Sequence, residues 1–185
     1  MIQTRAVTLN ALSLYAVALV LGAAFAAQFI LHELPCPLCL LQRILFALLA
    51  VGPILNVRFG PRPSHYAMSL LSAVTGAVAS TRQVLLHIQP GDTGYGSALL
   101  GYHYYSWALI GFVAAIVLLA AILLFDRQFA DDGAALPADG GAFAQTAVWL
   151  VIALTAANVA TTLLECGFGA CADNPVVYEL LKSAG

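Results

Sequence analysis

Long uncharged apolar stretches alternate with short polar breaks along this chain, and that alternation sets the expected architecture. Residues 6–31 carry no charged side chain, more than the roughly 20 residues a helix needs to cross a hydrocarbon core of ~30 Å. Comparable windows follow, interrupted only by Arg43 in the second and Arg82 in the third. The pattern predicts spans over about 8–31, 38–57, 66–89, 104–125 and 143–164. The second is the weakest, because its apolar part after Arg43 is short and contains Pro53. Between the last two, "DRQFADDGAALPADGG" is acidic and rich in glycine and proline, the composition of a loop. The expected fold is all-α: one bundle of five transmembrane helices over 1–185, with a polar tail at 165–185.

Composition agrees with membrane residence. The chain is 62% hydrophobic and 9% charged, whereas a soluble domain is about one-quarter charged. A net charge of −2 with no basic block leaves no electrostatic footprint for nucleic acid. Arg5 ahead of an apolar run and "AFA" at 24–26 resemble a cleavable signal. The run continues past that point, however, and is too long for a signal core.

Arginines in the short loops orient the bundle. With the N-terminus cytoplasmic, Arg5, Arg58, Arg62 and Arg127 share the cytoplasmic side, and Lys182 is the clear exception outside. An odd number of spans then puts the tail on the outer side, together with "CPLC" at 36–39.

Four cysteines stand in two close pairs, Cys36 with Cys39 and Cys166 with Cys171. An outer location lets oxidised sulfur persist. Pro37 suits the first helical turn, where its missing N–H costs nothing. A thiolate at that helix start is favoured by the exposed amides and becomes reactive. Arg43 follows Cys39 by four residues, which puts both on one helix face. A static staple is the plainer reading, but a C-x-x-C ring closes too short a loop to stabilise much. The second pair, in "ECGFGACADNP", is either a mobile relay or a disulfide that ties down the tail. A zinc site from all four cysteines is a further reading, disfavoured by the oxidising exterior and by Arg43, so no metal is expected.

"PCPLCLLQR" at 35–43 resembles the C-x-x-C-x-x-x-R signature of the DsbB-type disulfide-bond formation proteins of bacterial inner membranes, and the likeness extends over roughly the first three spans. The resemblance implies a quinone-dependent protein-disulfide oxidoreductase, with four helices around a quinone pocket near the outer surface. Such a protein re-oxidises a periplasmic, DsbA-like thioredoxin-fold oxidase and passes the electrons to ubiquinone or menaquinone. By the same resemblance Cys36 and Cys39 are the quinone-linked pair, Cys39 faces the ring and Arg43 contacts it. Gln83 is then a candidate partner of a quinone carbonyl and His87 a candidate donor to a quinone oxygen, while Arg82 reads as snorkelling to the interface.

The chain departs from the family pattern in one respect. The family has four spans and carries its second pair in the outer loop between the third and fourth. Here that loop, "PGDTGYGSALLGYHY", has no cysteine, and the second pair follows an added fifth span. The five-span vitamin K epoxide reductase type matches the cysteine layout no better. Tyr102, His103, Tyr104, Tyr105 and Trp107 read as an interfacial aromatic belt, and Gly76 among small neighbours as a close helix contact. The competing function is a non-enzymatic membrane scaffold whose disulfides only stabilise loops. Quinone consumption separates it from the oxidase.

Overall fold

The computed structural model of the protein describes residues 2–125, 129 and 141–182, without the side chains of 2–4. Most of the acidic stretch before the last predicted span, Arg127 included, lies outside the described residues. The chain forms α1 (Ile2–Ile30), α2 (Pro37–Leu49), α3 (Val51–Phe59), α4 (Pro63–Leu86), α5 (Tyr104–Leu123), α6 (Gly141–Cys166) and the single turn α7 (Glu179–Lys182). A two-residue ladder pairs β1 (Ala98–Leu99) with β2 (Tyr102–His103), antiparallel, inside the loop before α5. Its turn residues, Leu100 and Gly101, both have positive φ, as a tight hairpin turn requires. Otherwise the fold is a helical membrane bundle, as the pattern predicts.

Four segments among the described residues are long and apolar enough to cross a membrane: Arg5–Ile30, Pro37–Phe59, Tyr104–Leu123 and Gly141–Cys166. The third predicted span, now α4, is not among them. Its 24 residues reach about 36 Å at 1.5 Å each, so length is not the obstacle. His65, Ser69, Ser72, Ser80 and Gln83 make it more polar, and all five are buried inside the bundle. Its exposed face carries Met68, Leu71, Val74, Val78 and Leu85. Composition alone therefore does not establish five spans, although the outward surface of α4 is apolar.

The second predicted span is two helices in series, and Pro53 explains the break at Ala50. Proline has no N–H to donate to the Leu49 carbonyl one turn back. That carbonyl instead accepts the Ser69 hydroxyl at 2.7 Å, and the Leu45 carbonyl accepts the Ser72 hydroxyl at 2.7 Å. The rungs 69–49 and 72–45 make α4 antiparallel to α2. Contacts from α1 to α3 and α2 run the same way, with Asn10 against Asn56 and Gln28 against Arg43.

A buried polar cluster ties α1, α3 and α4 together at the end remote from the cysteines. Asn56 Nδ2 donates to Asn10 Oδ1 at 3.0 Å, and Asn10 Nδ2 donates to the Tyr66 hydroxyl at 3.1 Å. Asn56 Oδ1 accepts the Arg62 amide at 3.2 Å and lies 2.9 Å from His65 Nδ1. Inside a membrane such groups must find partners within the protein, so this cluster fixes the register of the three helices.

Phe46 and Phe112 stack at mid-bundle with ring centroids 4.0 Å apart. The Phe112 ring occupies the space where a Cβ on Gly76 would stand, which makes Gly76 the close contact expected of it. Gly76→Val should therefore lower stability by about 1–3 kcal/mol, the usual range for overpacking. Gly22→Ala, where a Cβ meets nothing within 4 Å, should be close to neutral. Thermal unfolding of both variants in detergent checks the contrast.

Candidate redox site at the cysteine end of the bundle

The end of α1, the starts of α2 and α5 and the ends of α4 and α6 meet at one end of the bundle. Cys36 is the N-cap of α2, with Pro37 at the first helical position, and its sulfur accepts the Cys39 amide at 3.1 Å. Cys36 is joined to Cys39 and Cys166 to Cys171 by disulfides, with Cα separations of 4.9 and 4.5 Å. Cys36 is buried, while Cys39 is half-buried.

A cavity of about 510 Å³ opens beside Cys39, between α1, α2, α5 and the loop before α5. Its walls are mostly apolar, with Leu21, Ala24, Phe46, Ala108 and Gly111 among them. On α2, Cys39, Gln42 and Arg43 line one wall, and Glu33, Tyr95, Tyr104 and Tyr105 add further polar groups to the lining. Arg43 is buried and held at two points: it donates to Gln28 Oε1 at 2.6 Å and to the Ala24 carbonyl at 2.8 Å. Its guanidinium also lies over the Phe25 ring, 5.4 Å from the centroid.

Gln83 does not reach the cavity wall. It is fully buried on the far side of the disulfide, where its amide donates to Cys36 Sγ at 3.2 Å and to Cys39 Sγ at 3.5 Å. Its carbonyl accepts Gln42 Nε2 at 2.9 Å. Gln42 thus links the sulfur contact to the cavity wall, a role that sequence reading did not assign. An N–H at sulfur stabilises a thiolate more than a disulfide. Gln83→Leu should therefore make the Cys36–Cys39 pair harder to reduce. A lost bond to a charged acceptor is worth roughly 1.5–3 kcal/mol, or roughly 30–60 mV for a two-electron couple. Equilibration against glutathione buffers, read by thiol alkylation, measures the shift.

His87 stands outside the cavity lining. Its Nδ1 is 3.2 Å from Asp92 Oδ1, and its ring stacks 5.5 Å from that of Tyr105, which does line the cavity. The Gly94 amide, and after it the His87 ring, hold the Asp92 carboxyl below the usual carboxylate range.

The loop before α5 is fastened to the segment after α1 through three contacts. The Tyr95 hydroxyl donates to the Leu34 carbonyl at 2.6 Å. Glu33 accepts the Ser97 amide at 3.1 Å and also the Ser97 hydroxyl. Burial, then the charges of Glu165 and Glu33, push the Tyr95 hydroxyl up to about 12, so it remains a protonated donor at neutral pH. Three residues of the expected aromatic belt, Tyr104, Tyr105 and Trp107, also line the cavity.

The second disulfide lies at the same end. Glu165, immediately before Cys166, is within electrostatic reach of both Arg43 and Tyr95. The tail beyond it is anchored where Gln28 Nε2 donates to the Tyr178 hydroxyl at 3.1 Å and where Leu180 packs at Gly167.

A family model described as disulfide bond formation protein DsbB matches residues 5–95. Residues 5–95 are thus similar to the DsbB family, over just under half of the chain. The DsbB-like region runs from α1 through α4 and ends at Tyr95, so it contains Cys36, Cys39, Gln42, Arg43 and Gln83. Disulfide bond formation protein B 1 of Pseudomonas syringae pv. syringae (strain B728a) is 28% identical over 141 residues, covering 58% of this chain and 83% of that protein. Disulfide bond formation protein B of Xanthomonas axonopodis pv. citri (strain 306) is 40% identical over 63 residues, covering 31% of this chain and 37% of that protein. Disulfide bond formation protein B 2 of Burkholderia lata is 35% identical over 85 residues, with coverages of 45% and 50%. No solved structure matches the chain. Four apolar helices together with the DsbB-like region make this a multi-pass membrane protein carrying two cysteine pairs.

Proposed function

We propose that the protein oxidises the dithiol of a periplasmic, DsbA-like thioredoxin-fold partner and delivers the electrons to a membrane quinone. The observation that carries this reading is the apolar cavity with Cys39, Gln42 and Arg43 on one wall. A planar ring with carbonyl oxygens suits that chemistry: apolar faces for the ring, amide and guanidinium donors for its oxygens, and a sulfur alongside. When bound, the quinone supplies the two-electron acceptor. Ubiquinone and menaquinone share the features this wall would recognise.

On this reading the partner's thiolate attacks the Cys166–Cys171 disulfide, and the released tail thiolate attacks Cys36. Each exchange forms one sulfur–sulfur bond and breaks another through a mixed disulfide. Attack at Cys36 leaves the electrons on Cys39, the sulfur open to the cavity. Arg43 stabilises negative charge there more than it would in water, because the site has a low dielectric. Gln83 steadies the sulfur that carries the charge.

The bundle sits in the bacterial inner membrane with five spans, α4 being the third, its N-terminus cytoplasmic and its tail periplasmic. The apolar outward face of α4 and the shared location of both disulfides support this topology. Labelling Cys171, after reduction, with a membrane-impermeant maleimide should occur from the periplasmic side; labelling only from the cytoplasm would overturn the five-span arrangement.

The functional test is quinone consumption by the purified protein, given a reduced thioredoxin-fold oxidase and a short-chain ubiquinone, followed by absorbance. Steady reduction with matching loss of partner thiols is expected. No turnover with a competent partner would leave a scaffold with structural disulfides.

A further inference from the structure

Two buried ionisable groups, Arg43 on the cavity wall and Glu165 on α6, lie within electrostatic reach of each other without a direct bond between them. Arg43 spends its visible hydrogen bonds on Gln28 and Ala24. Glu165 is only 2% exposed and within electrostatic reach of Arg43, yet among the described residues neither of its oxygens has a hydrogen-bond partner. Asn158 and Thr162, seven and three residues before Glu165 on the same face of α6, also hold unpartnered buried oxygens. A buried carboxylate with no donor is costly, and ionisable groups at membrane depth usually serve function.

We propose that Glu165 is the counter-charge of Arg43, and that it takes up a proton when a second anion enters the cavity and claims the guanidinium. This rests on the reading of the cavity as a quinone site and makes Glu165 a positioning residue acting through Arg43. One fixed cation cannot neutralise two anions in a low dielectric, and arginine cannot change its own charge. Oxidation of Cys36 and Cys39 to their disulfide releases two electrons and two protons, and reduction of a quinone to hydroquinone consumes two of each. Electrons and protons arriving at different moments therefore place transient negative charge beside Arg43.

The other titratable groups around the pair are committed elsewhere. Tyr95, from the loop, donates to Leu34; Glu33 is bound to Ser97; Tyr178, from the tail, is bound to Gln28. From α1 come only the Gln28 amide and the Ala24 carbonyl. Glu165 is the carboxylate left to take the proton, and the unpartnered oxygens of Thr162 and Asn158 below it could hold ordered water beside it.

The test uses an anionic quinone, 2-hydroxy-1,4-naphthoquinone, with the full chain in lipid nanodiscs. Calorimetric titration in buffers of different ionisation heat counts the protons bound with the ligand. Wild type should take up about one proton per ligand, its affinity weakening toward about tenfold per pH unit as pH rises. E165Q should take up none and bind with little pH dependence, while E165D should restore the uptake. Quenching of Trp107, which lines the cavity, gives the affinities independently. Binding to wild type without proton uptake, or equal uptake by E165Q, would overturn the role of Glu165 and leave the quinone site standing. Failure of wild type to bind the ligand would overturn the cavity reading and this proposal together.

Discussion

Cys39→Ser should abolish quinone reduction completely while leaving the chain folded and the second disulfide able to exchange with its partner. Cys39 is the sulfur that lines the cavity, so on the proposed reading electrons leave the protein there, and a serine hydroxyl can neither form nor break a disulfide. Folding should survive, because the Cys36–Cys39 ring spans a sequence separation of only 3 and stabilises little by closing so short a loop. The N-cap contact from the Cys39 amide to Cys36 does not need the Cys39 side chain. The lone Cys36 thiol should then collect as a mixed disulfide with Cys166 or Cys171 when the tail is oxidised. Peptide mass mapping after alkylation reads which of the two it is. Failure to find Cys36 joined to either would break the relay proposed between the pairs.

Arg43→Ala should raise the apparent KM for quinone by a large factor and also destabilise the protein, and the two effects have different origins. Loss of one anion-stabilising donor costs roughly 3 kcal/mol, on the order of 100-fold. The stability loss arises because Gln28 Oε1 and the Ala24 carbonyl lose their donor and Glu165 is left buried without its counter-charge. Breaking such a buried charge pair costs roughly 3–5 kcal/mol. The double variant R43M/E165Q should recover much of the stability, since neither charge is stranded, but none of the quinone affinity. Arg43→Lys keeps the charge and loses the planar fork, so its defect should fall between wild type and Arg43→Ala. Quinone kinetics and thermal melts on the same samples separate the two effects. Normal quinone kinetics with blocked partner exchange in Arg43→Ala would move Arg43 from the cavity to the docking surface.

The helical membrane class and the C-x-x-C-x-x-x-R arrangement can be read directly from the order of residues. Those depend on local properties: the length of uncharged runs, proline at a helix start and the four-residue period that puts Cys39 and Arg43 on one face of α2. Periodicity says which residues share a face, but not which neighbouring helix meets that face; that depends on how the helices pack. Gln83 and Cys36 are 47 positions apart, and nothing local indicates that the Gln83 amide meets the sulfurs and leaves Gln42 on the cavity wall. The break at Ala50 follows from Pro53, yet the Leu49 carbonyl it frees is satisfied by Ser69 on another helix. Glu165 carried a faint signal, an acidic residue at the end of an apolar run, but its relation to Arg43 exists only once α6 has packed beside α1 and α2. In a membrane the hydrophobic effect places segments in the bilayer without choosing their neighbours. Close packing, as at Gly76 and Phe112, and buried polar contacts make that choice, and these form only between residues distant in the chain.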